Sequence, residues 1–394
     1  MILKQLELTH FRNHKHTAVE LSAGTTLFVG QNGQGKTNLV EAVRFLSTLA
    51  SHRVAGYVPL IQLNEPQAII HAKVSVANRD VSIQLELNRE SQNRASINQS
   101  KSNKYRDVLG LVQSVTFAPE DIDIVRRDPT NRRAFLDELV IQLTPRMAGV
   151  YSDYARVLKQ RNSLLKSARI TKPSGAALST LDAWDEQLAR LGSEIIANRV
   201  SLVQALEPRM YVAYQSLATT NNQPRLRIES SILADRADDE ETELPELVTA
   251  DRAEIEAMFH AKLAQLRSRE LERGLTLIGP QRDDLKIWLG DLPAKGYASH
   301  GESWSLALAL RLASAELLKV SSSTGDPIII LDDVFAELDD GRRVRLAEMI
   351  ASNEQVLITA AVEGDVPAGL EATTYYVKQG AVSEDAVSEG GGDK

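Results

Sequence analysis

One segment of the sequence has the composition of a loop that holds phosphate groups. It matches G-x-x-x-x-G-K-[ST] at every fixed position and reads Gly30, Gln31, Asn32, Gly33, Gln34, Gly35, Lys36, Thr37. Glycines let backbone N–H groups converge on phosphate oxygens, and the start of a following helix adds positive potential. In this pattern Lys36 neutralises the β- and γ-phosphates and Thr37 offers its hydroxyl to Mg²⁺. We therefore predict that residues 30–37, with Asn38 at the helix start, bind ATP and Mg²⁺.

A pair of acids that ends an apolar run could hold the metal ion. Residues 328–331 are apolar and are followed by Asp332 and Asp333. A buried strand ending in acids is where phosphate-loop ATPases bind Mg²⁺. We predict that Asp332 binds Mg²⁺ through water beside Thr37, and that Asp333 polarises the attacking water. The alternative is a strand with a solvated acidic end, and the phosphate loop favours the metal site.

The segment Ser299-His300-Gly301-Glu302 precedes a predicted helix over 302–320. Serine and glycine at a helix start can form an anion site, and a simple N-cap is the alternative. The segment's position ahead of the acid pair resembles that of the signature motif in ABC-type ATPases. There the signature of one subunit covers the γ-phosphate of the nucleotide bound by the other. We predict that Ser299, Gly301 and Glu302 contact ATP in this way.

Strands and a helix are predicted where the phosphate loop needs them. The run 26–29 is typical of a strand buried on both faces, and residues 38–49 favour a helix. Apolar and polar residues alternate over 70–76 and 81–87, which indicates a hairpin. After residue 275 strands and helices alternate again, which implies a largely parallel sheet.

The middle of the chain has a helical pattern instead. Residues 145–169 and 181–218 have apolar residues at helical spacing and predict an antiparallel helical hairpin, and a third helix is predicted over 251–273. The predicted fold is therefore α/β with a helical insertion. Its predicted parts are an ATPase head of residues 1–125 and 275–394, a helical lobe of residues 126–274, and a disordered tail of residues 383–394.

Composition limits the class of protein. The 394 residues include no cysteine, which excludes disulfides and cysteine-ligated zinc. No apolar run is long enough for a membrane helix, and the first residues do not resemble a secretory signal. We expect a cytoplasmic protein with no membrane partner.

The charge is unevenly distributed. The formal net charge is −8, which taken alone argues against a nucleic-acid partner. Residues 235–256, however, hold ten acids and two arginines and account for all of it. Residues 156–172 carry six basic residues and no acid, and residues 89–106 are also basic. The sequence thus predicts a polarised molecule, with segment 235–256 turned away from any DNA.

Further segments, taken in chain order, match a known family. They are Phe11-Arg12-Asn13, Gly35-Lys36-Thr37-Asn38-Leu39-Val40-Glu41-Ala42, Ser51-His52-Arg53, Phe117-Ala118-Pro119-Glu120-Asp121, Arg132-Arg133-Ala134-Phe135-Leu136-Asp137, Leu277-Ile278-Gly279-Pro280-Gln281-Arg282-Asp283-Asp284, Tyr297-Ala298-Ser299-His300-Gly301-Glu302 and Leu331-Asp332-Asp333. In these segments the sequence resembles the RecF family of bacterial DNA-repair ATPases, which are related to SMC heads. The resemblance implies an ABC/SMC-type P-loop ATPase head with an inserted, coiled-coil-like helical lobe.

Related families fit less well. The predicted insert is larger than the one in ABC transporter subunits. It is far shorter than the arms of SMC-type and zinc-hook ATPases, and a zinc hook needs cysteines. The sequence also departs from expected patterns. His300 and Glu302 replace Gly and Gln of the general ABC signature, and Gln281 stands where the RecF pattern has His. The strand that ends in Thr359 offers no switch histidine, and Asp333 replaces the glutamate of transporters.

The resemblance also implies partners. These are double-stranded DNA, duplex/single-strand gap junctions, a second copy of the chain in the presence of ATP, and RecO and RecR, which help to load RecA. From the residues alone, the candidates for DNA contacts are Arg94, Lys101, Lys104, Arg106, Arg156, Lys159, Arg161 and Lys166. Phosphate contacts require only basic side chains along one face. A solvated helix or strand face is the alternative for each cluster.

Two hypotheses for the role of hydrolysis stay open. In the first, the chain is a DNA-dependent ATPase of recombinational repair whose slow turnover drives release, with Lys36 and Asp333 as catalytic residues. In the second, it is a nucleotide-switched clamp or scaffold in which turnover is incidental. The complete set of Lys36, Asp332 and Asp333 favours the first hypothesis, and the missing switch histidine favours the second.

Overall fold

The computed structural model describes residues 1–51, 53–77, 79–102, 104–171, 175–218, 222–234 and 244–384. The chain divides into two compact units. Unit one comprises residues 1–121, 213–220 and 307–394, and unit two comprises residues 122–212 and 221–306.

Both units combine strands with helices. The strands, in chain order, are β1 (Ile2–Phe11), β2 (His14–Glu20), β3 (Gly24–Val29), β4 (Gln67–Val76), β5 (Arg79–Asn88), β6 (Arg94–Ile97), β7 (Ser100–Lys101), β8 (Ser114–Phe117), β9 (Pro224–Glu229), β10 (Asp284–Leu289), β11 (Leu292–Pro293), β12 (Ile328–Asp332), β13 (Gln355–Ala360), β14 (Ala372–Lys378) and β15 (Ala381–Ser383). The helices are α1 (Lys36–Thr48), α2 (Ile122–Arg126), α3 (Pro129–Leu143), α4 (Met147–Thr171), α5 (Gly175–Leu217), α6 (Arg252–Arg273), α7 (Ala294–Tyr297), α8 (His300–Ser321) and α9 (Asp340–Ile350).

Unit one contains an antiparallel sheet with one buried face. Its strand order is β2-β1-β4-β5-β6-β7. The predicted hairpin is confirmed as β4 and β5, in which Ile70 pairs with Leu85 and Ala72 with Ile83. These apolar side chains are fully buried, and they join one hydrophobic core with Phe45 of α1. Since side chains alternate between the two faces of a strand, the polar residues between them face outward.

The second sheet of unit one positions the predicted nucleotide residues. Its order is β15-β14-β3-β13-β12-β8, and β13 lies between β3 and β12 with parallel pairing on both sides. The carboxyl ends of parallel strands meet at the same edge of a sheet, which is where ligands bind in open α/β sheets. The phosphate loop follows β3 at this edge, the acid pair ends β12, and Thr359 pairs with Asp332 across the ladder.

Unit two is not purely helical. Helices α4 and α6 pack together, in agreement with the helical pattern predicted for this part of the sequence. The unit also contains an antiparallel sheet of order β11-β10-β9, which the sequence patterns did not predict. The alternation in Pro224–Glu229 is short and follows directly on a long helix, so its period-two signal is weak. The unit also extends to residue 306, whereas the predicted lobe ended at 274.

Some predicted boundaries differ from the structure or lie outside the described residues. Helix α5 begins at Gly175, six residues before the predicted start at residue 181. Ser383 belongs to β15 and is not part of a disordered tail. The acidic residues 235–243 and the tail residues 385–394 lie outside the described residues.

Candidate nucleotide site and candidate DNA-contact residues

The phosphate loop needs its glycines for two different reasons. Gly35 has a φ of 117°, a left-handed conformation that L-residues with a side chain rarely adopt. A Cβ on Gly30 would lie 2.3 Å from the carbonyl oxygen of Val377 in β14, so the loop passes too close to this strand for a side chain. Gln31 and Asn32 are exposed at the tip of the loop.

Lys36 lies inside the loop at the start of α1. Its side chain is buried, and Nζ donates to the carbonyl oxygens of Gly30, at 2.7 Å, and Gln31, at 3.3 Å. The N–H groups of a first helical turn have no partner within the helix and carry partial positive charge. The ammonium and the helix start therefore combine into a site suited to phosphate.

Thr37 and Asp332 meet directly, although they lie far apart in the sequence. Thr37 Oγ1 donates to Asp332 Oδ1 at 2.9 Å. Thr359 of the intervening strand donates to the same Oδ1 at 2.7 Å, and both Asp332 and Thr359 are buried. Two hydroxyl groups thus fix the orientation of one buried carboxylate.

Asp333 has an unusual backbone conformation and an altered acidity. Its φ is 52°, a left-handed value that costs a non-glycine residue free energy and is often found at functional sites. Its N–H donates to Thr359 Oγ1 at 2.9 Å, which helps to hold this conformation. Burial raises the pKa of the Asp333 carboxyl, as does the nearby Asp332, while Lys36 acts in the opposite direction.

The site chemistry fits a magnesium nucleotide. Thr37 and Asp332 supply hard oxygen donors, which Mg²⁺ prefers. The described residues contain no group of three or more His, Cys, Asp or Glu that could hold a metal ion by itself. In nucleotide sites, however, Mg²⁺ takes only one or two protein ligands and completes its shell with phosphates and water.

A buried carboxylate lies behind the loop on α1. Glu41 accepts two hydrogen bonds from the Arg12 guanidinium, at 2.8 and 2.9 Å, and one from Ser51 at 2.5 Å. Burial acts to raise the pKa of Glu41, but the bonds from Arg12 and Ser51 outweigh it and leave the pKa lowered. Arg12, Glu41 and Ser51 stand in three of the segments that resemble the family, and the structure brings them together around one buried carboxylate.

Asn38 and Gln34 contact neighbouring turns. Asn38 Nδ2 donates to Asn13 Oδ1 at 2.7 Å, and Asn38 Oδ1 accepts from Arg53 at 2.9 Å. Gln34 Oε1 accepts from the backbone N–H of Gln379 at 2.6 Å. Both side chains were predicted to bind nucleotide, and in this structure both hold the loop and α1 against adjacent segments.

The signature-like segment forms a capping box at the start of α8 in unit two. The backbone N–H of Glu302 donates to Ser299 Oγ at 3.3 Å, and the N–H of Ser299 donates to Glu302 Oε2 at 2.9 Å. Glu302 also accepts from Asn222 at 3.0 Å. Hydrogen bonds from Ser299 lower the pKa of Glu302. Gly301 is half-buried in the first turn. The simple N-cap that was the alternative interpretation is therefore present.

The first basic cluster lies in and beside the edge of the antiparallel sheet. Arg94 in β6 and Lys101 in the edge strand β7 are exposed. Lys104 is exposed and Arg106 is half-buried in the short turn that follows. The exposed members could reach phosphates, although charged residues on an edge strand also prevent strand pairing between molecules.

The second cluster does not form one uniform basic face. Arg156, Lys159 and Lys166 are exposed on α4, but Arg161 is fully buried. Arg161 donates to Asp185 at 2.6 Å and to Glu270 at 2.5 Å. The prediction that Arg161 contacts DNA is therefore wrong, because its guanidinium is enclosed and paired with two acids.

Gln281, which departs from the family pattern, has a defined place in unit two. Its Oε1 accepts from the Tyr154 hydroxyl at 2.5 Å, and its Nε2 donates to the carbonyl oxygen of Ile278 at 2.8 Å. The side chain thus links α4 to the segment that precedes β10.

Comparisons with known proteins decide the family. Residues 2–383 match the family described as the RecF/RecN/SMC N terminal domain. A DNA replication and repair protein RecF from Clavibacter michiganensis subsp. michiganensis is 51% identical, with all of both chains covered. The chain belongs to the RecF family.

Solved structures agree with this assignment. A RecF structure, described as the recombination mediator protein RecF-ATP in the RecFOR pathway, is 27% identical. Its TM-score is 0.86, with 98% of this chain and 97% of that chain covered. The Smc head domain of Pyrococcus furiosus is 15% identical with a TM-score of 0.52, and covers 97% of this chain and 95% of that chain. The second similarity concerns the fold alone, and it confirms the predicted α/β head with a helical insertion.

None of the helices in the described ranges is both long enough and apolar enough to cross a bilayer.

Proposed function

We propose that this RecF-family chain binds ATP with Mg²⁺, dimerises on ATP and holds double-stranded DNA or a duplex/single-strand gap junction during recombinational repair and replication. In this proposal slow hydrolysis drives release, and the dimer helps to load the recombinase on single-stranded gaps. The observation that carries the proposal is the hydrogen bond between Thr37 and Asp332 beside the buried Lys36.

Each residue of the site has a definite task. Lys36 neutralises phosphate charge, and the backbone N–H groups of Gly33 and Gly35 hold the phosphates. The N–H of Gly30 donates to the carbonyl oxygen of Ala360 at 3.3 Å and anchors the start of the loop. Thr37 and Asp332 would hold Mg²⁺, which when bound neutralises charge that develops on the phosphate oxygens.

Asp333 would orient and polarise the attacking water. Its carboxylate stands one residue beyond the metal-binding acid, on a backbone that Thr359 fixes. A raised pKa makes a carboxylate a better proton acceptor. The absence of a histidine at the end of β13 argues that turnover is slow.

The dimer uses the segment at the start of α8. Ser299, Gly301 and Glu302 would contact the γ-phosphate bound by the other copy, where the exposed helix start offers N–H groups. The existing capping box must then open or share its donors with phosphate.

Family membership and surface charge support the proposed DNA and protein partners. The exposed side chains of Arg94, Lys101, Lys104, Arg156, Lys159 and Lys166, together with half-buried Arg106, are the proposed phosphate contacts. A related solved protein is described as part of the RecFOR pathway, which supports RecO and RecR as partners.

A specific observation supports a second candidate function. Asp333 stands where transporters have glutamate, and β13 ends in Thr359 and Ala360. The chain could therefore act as a nucleotide-switched clamp in which hydrolysis is incidental. Steady-state ATPase assays with and without gapped DNA separate the two functions, because only the first predicts stimulation by DNA.

Sedimentation of the full chain with ATP, with ADP and without nucleotide tests the proposal. We expect a dimer with ATP and Mg²⁺, and a monomer with ADP or without nucleotide. Lys36→Ala should remain monomeric in ATP. A wild-type mass that ATP does not change would contradict the clamp mechanism.

A further inference from the structure

The turn between β1 and β2 lies directly against the phosphate loop. His14 at this turn is fully buried. Its Nε2 lies 3.1 Å from the carbonyl oxygen of Gly35, and its Nδ1 lies 2.9 Å from both the carbonyl oxygen of Gly380 and Thr17 Oγ1. A Cβ on Gly35 would come within 2.9 Å of the side chains of Asn13 and His14. The two segments are therefore in tight contact.

The bond from His14 to the loop requires a proton on Nε2 of the ring. A carbonyl oxygen only accepts hydrogen bonds, so Nε2 must carry a proton in order to bond to Gly35. Nδ1 faces the Thr17 hydroxyl and the carbonyl oxygen of Gly380, and the hydroxyl, whose oxygen also lies 2.7 Å from that carbonyl oxygen, can donate to either of them. In a neutral ring with its proton on Nε2, the hydroxyl donates to Nδ1. Burial lowers the pKa of His14, although hydrogen bonds to the carbonyl oxygens of Gly35 and Gly380 act against this. The lowered pKa favours the neutral ring, in which the single proton must lie on Nε2 for the bond to Gly35.

The consecutive carbonyl groups of Gln34 and Gly35 each accept two hydrogen bonds. The carbonyl oxygen of Gln34 accepts from Asn13 Nδ2 at 3.1 Å and from a backbone N–H of the β14–β15 turn at 2.9 Å. The carbonyl oxygen of Gly35 accepts from the N–H of Leu39 at 3.1 Å and from His14. A carbonyl oxygen has two lone pairs, so all the acceptor sites of these two groups are used.

The orientation of these carbonyl groups determines where the adjacent N–H groups point. In a trans peptide the C=O and N–H bonds point in opposite directions. The N–H groups of Gly35 and Lys36 therefore point away from Asn13 and His14. Peptide planes that are already fixed need no reordering when an anion binds, which increases affinity.

We propose that His14 is a positioning residue for nucleotide binding, whose Nε2–H fixes the peptide between Gly35 and Lys36 so that the Lys36 N–H faces the phosphates. Asn13 fixes the preceding peptide in the same way. This inference rests on the proposed function, because it assigns the N–H groups of the loop to ATP.

Three variants of the full chain test the inference by equilibrium binding of ATP and of ADP in Mg²⁺. His14→Leu removes the donor, whereas His14→Gln keeps an N–H at the same distance from the backbone. Ser47→Ala is the matched control, since Ser47 is buried in the same helix α1 but bonds to Ser114, at 2.6 Å, and not to the loop.

We expect His14→Leu to lower the affinity for both ATP and ADP about tenfold, the factor that corresponds to the loss of one hydrogen bond. His14→Gln should restore most of the affinity, and Ser47→Ala should bind like the wild type. Equal affinity in His14→Leu and the wild type would overturn the inference. Equal weakening in His14→Leu and His14→Gln would also overturn it, because the donor would then not matter.

A spectroscopic measurement on the wild-type chain covers the case in which His14→Leu does not fold. ¹⁵N chemical shifts of the His14 ring, assigned with His14→Gln, should show a protonated Nε2 and an unprotonated Nδ1 at neutral pH. The opposite tautomer would overturn the inference. If the wild type itself binds neither nucleotide, the proposed function fails instead.

Discussion

Replacement of Arg161 by methionine should destabilise unit two and leave the proposed DNA contacts intact. Arg161 in α4 is fully buried, and it connects α4 to Asp185 of α5, Glu270 of α6 and Thr276. Methionine is similar in length and apolar, so Arg161→Met removes the charge and the hydrogen bonds while it fills much of the space.

The expected loss follows from what each partner retains. Breaking a buried ion pair by removing one partner costs about 3–5 kcal/mol of unfolding free energy. Asp185 keeps a second cation, because Arg267 donates to it at 2.7 Å. Among the described residues, the Glu270 carboxylate then keeps the backbone N–H of Leu277, at 2.8 Å, as its remaining hydrogen-bond donor. With one carboxylate left without a cation, we expect the lower end of that range, about 3 kcal/mol.

The loss should depend on pH in a defined direction. Burial raises the pKa of Glu270 above its ordinary value of 4.5 even beside Arg161, and removal of Arg161 raises it further. A carboxyl whose pKa is higher in the folded state stabilises that state below its unfolded pKa. This contribution is lost as the pH rises through the folded pKa. The difference in unfolding free energy between Arg161→Met and the wild type should be largest near neutral pH and should become smaller as the pH falls toward 4.5.

Tryptophan fluorescence during urea unfolding measures this loss selectively. The three tryptophans are Trp184, Trp288 and Trp304, and all of them belong to unit two. The shift of the transition midpoint, multiplied by its slope, gives the change in free energy of unfolding.

Lys159→Ala is the matched comparison, because it removes one positive charge from an exposed position of the same helix. It should leave the unfolding transition within about 0.5 kcal/mol of the wild type. It should also weaken duplex DNA binding and lower the salt slope by about 1. Folded Arg161→Met should bind DNA like the wild type. If Arg161→Met unfolds like the wild type and loses as much DNA affinity as Lys159→Ala, the buried assignment is refuted.

Three further changes test the nucleotide site. Thr359→Val removes a hydrogen-bond donor to Asp332, so the Mg²⁺ concentration needed for half-maximal ATP binding should rise about fivefold. In the same magnesium titration Thr359→Ser should need about as much Mg²⁺ as the wild type. An unchanged Mg²⁺ requirement in Thr359→Val would show that Thr359 does not position Asp332. Asp333→Asn should keep ATP-dependent dimerisation and lose phosphate release. Because burial raises the pKa of Asp333, the wild-type rate should fall as the pH is lowered through a value above 3.8, and persistent turnover in the variant would exclude Asp333 as the polarising group. Glu41→Gln weakens the pair with Arg12 and should cost about 2 kcal/mol in urea unfolding. Because the pKa of Glu41 is lowered in the folded state, the loss of unfolding free energy in Glu41→Gln should be fully present above pH 4.5, the ordinary pKa. The loss should disappear as the pH falls through the lowered pKa of the folded state. A loss that does not depend on pH would argue against the ion pair.

Local patterns in the sequence were sufficient to predict the chemical groups of the nucleotide site. The loop that ends in Lys36 and Thr37, and the acids at the end of β12, each lie within one strand–turn element. Thr37 approaches Asp332 once β3, which precedes the phosphate loop, and β12, which ends in Asp332, are placed in one parallel sheet. Thr359 was overlooked as a positioning residue, because a threonine at the end of a strand has no distinctive pattern until that strand is placed next to Asp332.

The error at Arg161 had a signal in the sequence. Tyr154, Val157, Leu165 and Ala168 form the buried stripe of α4, and Arg161 stands at the helical spacing of this stripe. The five other basic residues between 156 and 172 obscure this periodicity in the sequence. A charge inside an apolar stripe predicts a buried ion pair more directly than a DNA contact, since buried charges are almost always paired.

The support of the loop by Asn13 and His14 could not be read from the sequence. These residues follow β1, and they meet Gln34 and Gly35 only because the β1–β2 turn folds back onto the loop. The partner turn at Gly380 lies near the other end of the described chain. Contacts at such separation leave no local periodicity.

The strand order of the parallel sheet also has a consequence for synthesis of the chain. β3 carries the phosphate loop, yet its neighbours β13 and β14 are made only after residues 30–354. Long-range parallel pairing forms slowly, and unpaired strand edges expose the chain to aggregation. The antiparallel strands β1, β2, β4 and β5 are close in sequence and can pair early. A truncated or interrupted translation product would therefore carry a complete phosphate-loop sequence without the strands that complete its sheet.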